Sequence, residues 1–130
     1  MSKVRPISKS FRFAFDGLKT AYRREPNFRI HIIAGVLFLG LGYTIGLDHI
    51  ESLILLFTIS FVIILELINT SLEAIVNLVS PRIHPFAKIA KDVAAAAVLL
   101  AAGVAIIVGI VLFGPKIAQI INTAMPMIRQ

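Results

Sequence analysis

Glu66, Asn69, Thr70, Glu73 and Asn77 fall inside a segment that is otherwise apolar enough to cross a membrane. At roughly 100° per residue, their spacing gathers all five within about 100° of one helical face. An ionised carboxylate at membrane depth costs on the order of 3 kcal/mol by insertion scales, so acids placed there usually face a functional cavity. Two acids on one face, flanked by amides, suit holding a cation or running a reaction. The chain has no cysteine. Hard oxygen ligands without thiolates favour Mg²⁺, which takes one or two protein carboxylates and completes its shell with phosphate oxygens. A carboxylate in apolar surroundings is also a better general base near neutral pH.

The elements that must position these groups follow from hydropathy. The chain has 130 residues, 58% of them hydrophobic, and a mean hydropathy of +0.90. That composition marks an all-α integral membrane protein with room for one unit. Apolar stretches run from about 30 to 47, 53 to 79 and 93 to 113, near the ~20 residues that a span requires. A tail of residues 115–130 follows. No signal peptide is expected, because no apolar run follows Lys3 and Arg5.

Before the first span, over residues 8–25, Phe11, Ala14, Phe15, Leu18 and Tyr22 recur at helical spacing, opposite Arg12, Asp16, Lys19 and Arg23. This pattern predicts an amphipathic helix on the inner leaflet, ended by Pro26. Charge sets the topology. Eight Lys and Arg precede span one, three more lie between spans two and three, and the loop between spans one and two has none. By the positive-inside rule the N-terminus and second loop are cytoplasmic, and the first loop and C-terminus are outside. That placement absorbs most of the formal +6 charge, leaving no need for a nucleic-acid partner. Ala97, Ala101, Ala105 and Gly109 form a small-residue stripe on span three, and Gly42 and Gly46 a lone GxxxG; such stripes let helices associate in lipid.

Depth brings the acids together. Counting from Ser52 at 1.5 Å per residue, Glu66 lies about 21 Å down span two and Glu73 about 31 Å, at the cytoplasmic boundary. Glu25 before span one, and Lys91 and Asp92 at the start of span three, reach the same boundary. A lysine at a helix start suits phosphate as a point charge. Residue chemistry alone leaves two readings level: phosphoryl transfer onto a lipid hydroxyl, and an ion or proton pathway. His31 and His84 read as interfacial or loop residues rather than metal ligands, since neither has a second ligand at metal spacing.

The order and spacing Glu66-x-x-Asn69-Thr70-x-x-Glu73-Ala74, then His84 with Lys91-Asp92 and Ala96-Ala97-Val98, resemble the signature of the prokaryotic diacylglycerol kinase family, which includes undecaprenol kinases. Gly17-Leu18 and Glu25-Pro-Asn-Phe-Arg-Ile-His31 resemble its surface helix and the acidic ligand before span one. The resemblance implies a homotrimer of three-span subunits in the cell membrane, phosphorylating a lipid alcohol with Mg²⁺-ATP. It implies Glu66 as general base and Glu25 and Glu73 as metal ligands. Asn69, Asn77, His84, Lys91 and Asp92 fall to the nucleotide, with Lys91 on phosphate. Asn77 departs from the family pattern, which usually has Asp there; Asn keeps an oxygen ligand and loses the charge. The Leu-Ile-Asn-Thr and His-Pro-x-Ala-Lys forms are closer to the undecaprenol branch. No Gly-Lys-Ser/Thr phosphate loop is present.

Overall fold

A computed structural model describes residues 7–80, 82 and 84–128, with side chains described to residue 125. Four helices follow one another: α1 (Ile7–Arg24), α2 (Pro26–Ile45), α3 (His49–Val79) and α4 (Pro85–Ile128). Three of them, α2, α3 and α4, are long and apolar enough to cross a membrane. The all-α architecture with a short N-terminal helix is therefore as expected. Lys3, Arg5 and Arg129, which enter the charge count, lie outside the described residues.

Local chemistry fixes the helix ends. Glu25 is extended, at φ −105° and ψ 108°, and Pro26 opens α2. Proline pushes its predecessor out of the helical region and is itself well suited to a first helical turn. At the far end Gly46 adopts φ +78°, the left-handed conformation that favours glycine. Its N–H donates to the Gly42 and Tyr43 carbonyls, and the Leu47 N–H also donates to Gly42. Asp48 then caps α3 in a reciprocal box: its carboxylate accepts from Glu51 N–H and Glu51 accepts from Asp48 N–H, both at 2.8 Å. Lys116 of α4 closes the same corner, 3.0 Å from Glu51.

α3 lies between α2 and α4 and packs on both. Gly35 and Gly42 make the α2–α3 approach close: a Cβ at Gly35 would meet Ile59 Cγ2 at 2.6 Å, and one at Gly42 would meet Leu47 at 2.8 Å. Gly46 serves as the cap, so the packing pair is Gly35 with Gly42 and not the GxxxG of Gly42 and Gly46. A small core of Leu55, Leu112 and Phe113 sits toward the Gly46 corner. Of the small-residue stripe, Ala101 is buried, while Ala105 and Gly109 face a groove between α2, α3 and α4.

The helices outrun the apolar stretches. α2 and α3 begin four residues early, and α4 runs through Pro115 to Ile128. Hydropathy marks the part that prefers lipid, whereas helical hydrogen bonding continues in either phase. The chain exposes 10408 Å², about half as much again as the roughly 6,800 Å² expected of a compact soluble protein of its mass. Most of its Leu, Ile, Val and Phe side chains are uncovered, including the Phe11, Phe15, Leu18 and Tyr22 face of α1. Lipid or other copies must cover them.

Candidate active site

From Glu66 to Glu73 the polar stripe of α3 points into the protein at the end where α1 lies, and Asn77 beyond it is exposed. Glu66 is 3% exposed and Asn69 is 9% exposed, the two buried polar side chains among the described residues. Asn69 Nδ2 donates to Glu73 Oε1 at 3.1 Å, one turn further along α3. This bond fixes the amide's orientation and leaves Asn69 Oδ1 buried without a hydrogen-bond partner, as is Thr70 Oγ1. Buried polar atoms are nearly always satisfied, so two orphans side by side mark a place built for something other than stability.

Other helices bring charge to this stripe. The α1–α2 joint, sealed by the buried Ala21 and Phe28, presents half-buried Glu25. His31, Glu25 and Glu73 lie near enough to the Glu66 carboxyl to act on it electrostatically. Acids from two helices thus share one neighbourhood. From α4, Lys91 Nζ donates to Asn77 Oδ1 at 2.6 Å, tying the start of α4 to the end of α3.

Two expected members stand apart. The Asp92 carboxylate is engaged by Lys88 at 2.7 Å on an exposed face. His84 is exposed; it accepts from the Phe86 N–H at 3.3 Å and stacks on the Phe86 ring. Residues 81 and 83 of the same connection are not described. The structure therefore gathers Glu25, Glu66, Asn69 and Glu73, joins Asn77 to Lys91, and gives Asp92 and His84 local partners of their own.

His31 was not singled out from sequence as part of the site. It is half-buried on α2 and lines one end of a groove of about 580 Å³ between α2, α3 and α4. The rest of the groove is apolar except for Thr58, whose hydroxyl already donates to the Ile54 carbonyl. A polar side chain within an apolar helix, at the depth of Glu66, was the available signal. The acid it lies near, Glu66, is on another helix, and spacing along one helix does not report that.

For a cation, the donors are two carboxylates and a free amide oxygen. Among the described residues no group of three His, Cys, Asp or Glu could cage a metal. That set fits Mg²⁺ arriving on a polyphosphate, which brings most of its own oxygen ligands.

The model of the prokaryotic diacylglycerol kinase family matches residues 12–113. The chain belongs to that family. A diacylglycerol kinase of Synechocystis sp. is 45% identical over 112 residues, covering 85% of this chain and 64% of that protein. The chain thus spans just under two thirds of that relative's length. The undecaprenol kinase of Bacillus subtilis is 39% identical over 109 residues, covering 84% of this chain and 89% of that protein. The diacylglycerol kinase of Escherichia coli K12 is 32% identical over 101 residues, covering 78% and 83%. Within the family match lie all the residues gathered above, whereas the last turns of α4 lie beyond it.

Proposed function

We propose that this member of the prokaryotic diacylglycerol kinase family is a membrane lipid kinase that transfers the ATP γ-phosphoryl group to a lipid alcohol, with undecaprenol preferred over diacylglycerol. The observation that carries this reading is Glu66. It is a carboxylate buried half-way along a spanning helix, beside an unpartnered amide oxygen and near the end of an apolar groove. The lipid tail lies in the groove and its hydroxyl reaches Glu66. Glu66 takes the hydroxyl proton as the lipid oxygen attacks the γ-phosphorus, and the bond to the ADP oxygen breaks. Lipid phosphate and ADP are the products. Glu25 and Glu73 would hold Mg²⁺, which supplies charge neutralisation for the phosphates. Lys91 holds phosphate as a point charge, and Asn69 orients Glu73. His84 and Asp92 remain proposed nucleotide contacts, reached from their exposed positions.

The groove supports the lipid preference. Among the described residues its only polar side chain not already engaged in its own helix is His31, at one end. Such a wall matches a hydrocarbon with one terminal hydroxyl better than a glycerolipid carrying ester groups. Positive charge concentrated at the α1 end supports a cytoplasmic N-terminus, an outside C-terminus and a site at the cytoplasmic face of the cell membrane. The uncovered apolar surface supports a homotrimer. A through-membrane cation or proton path fits less well, since α3 from Leu53 to Ile64 offers only Thr58 and Ser60.

The deciding assay offers labelled ATP and Mg²⁺ to the purified protein in micelles, with undecaprenol or diacylglycerol as acceptor. Faster labelling of undecaprenol is expected. Preference for diacylglycerol overturns the substrate choice, and label on neither overturns the kinase.

A further inference from the structure

Three lysines of α4 make close side-chain contacts, and they differ in their partners. Lys88 pairs with Asp92 at 2.7 Å and Lys116 with Glu51 at 3.0 Å. Lys91 instead donates to the neutral amide oxygen of Asn77 at 2.6 Å. Lys88 and Asp92 cancel each other. Lys91, half-buried at the rim of the candidate site, has no carboxylate in salt-bridge contact among the described residues.

An ammonium has three N–H donors and no acceptor. Asn77 occupies one of them and fixes where the charge sits, leaving two for another oxygen ligand. An amide oxygen holds a cation less tightly than a carboxylate, because pairs in which both partners are ionised are the strong ones. An aspartate of the same shape at residue 77 would keep the contact and cancel the charge. We infer that Asn77 is a positioning residue: a neutral rest that aims the Lys91 ammonium at the site and releases it to a polyphosphate oxygen. This inference deepens the kinase reading and rests on it. It assigns to Asn77 a role exercised through Lys91, in place of direct contact with nucleotide or metal.

The test is a four-protein cycle in micelles: wild type, Asn77→Asp, Lys91→Met and the double variant, with MgATP varied at saturating undecaprenol. Asn77→Asp is expected to raise the KM for MgATP about tenfold, with kcat changed less than about twofold. In the Lys91→Met background the same substitution is expected to shift KM less than about twofold, because the charge it would cancel is gone. An unchanged or lowered KM in Asn77→Asp overturns the inference; a lowered one would mark residue 77 as a metal ligand. An equal rise in both backgrounds also overturns it, pointing to simple repulsion of phosphate. Absence of wild-type turnover on either lipid is instead a failure of the kinase reading. Calorimetric titration of the four proteins with magnesium tripolyphosphate then reads the pairing directly. About tenfold weaker binding by Asn77→Asp, confined to the background that retains Lys91, supports it, and equal affinity overturns it. Elution of all four at the wild-type size on gel filtration confirms folding.

Discussion

The two ends of this molecule handle polar groups in opposite ways. At the Gly46 corner each charge has a close partner: Asp48 and Glu51 cap each other's backbone, Lys116 pairs with Glu51, and Gly46 closes α2 with two carbonyls satisfied. At the α1 end Glu66 is buried with His31, Glu25 and Glu73 in its neighbourhood, Asn69 Oδ1 and Thr70 Oγ1 have no partner among the described residues, and Lys91 rests on a neutral amide. The first arrangement is what a turn needs to be stable. The second leaves buried polar atoms unpaired, a state that persists where a ligand completes it. Incomplete satisfaction, more than the mere presence of polar residues, separates the site from the scaffold.

Substitutions at the two ends should therefore part company. The largest effect belongs to Glu66→Gln, which keeps shape and removes the proposed base. Transfer should fall at least about 100-fold with folding retained. Near-wild-type turnover would mean that another group takes the proton. Next, Glu25→Gln or Glu73→Gln should raise the Mg²⁺ concentration for half-maximal rate by about tenfold; a superimposable titration would remove that residue from the metal. At the other end, Asp48→Ala should lower stability in micelles by about 1 kcal/mol through the lost cap, with lipid phosphorylation within about twofold of wild type. A marked loss of activity there would erase the contrast between the ends.

How much of this could be read from sequence depends on the range of the interaction. The stripe from Glu66 to Asn77 was legible because a helix fixes neighbours three and four apart, and Glu66 and Asn69 are indeed buried together. Asn77, at the far end of that stripe, is exposed and turned to Lys91 of α4. The three spans were legible from hydropathy, but their ends were not. Pro26 opens α2 directly, where a turn into the membrane was expected, and the start of α4 is polar enough to fall below an apolar threshold. His31, the Gly35 contact with Ile59 and the Lys88–Asp92 pair depend on interhelical geometry or on a choice among nearby partners. Periodicity is silent on both.

α4 is a single rod that carries Lys91 at one rim and Lys116 at the other, about 38 Å apart along its axis. Because Lys91 is tethered to α3 below and Lys116 to Glu51 above, the rod acts as a ruler for the surrounding lipid. Acyl chains too long for that gauge must tilt the protein, thin around it or pull a cation from its tether. Membrane thickness thereby becomes a variable that acts on Lys91 from a distance.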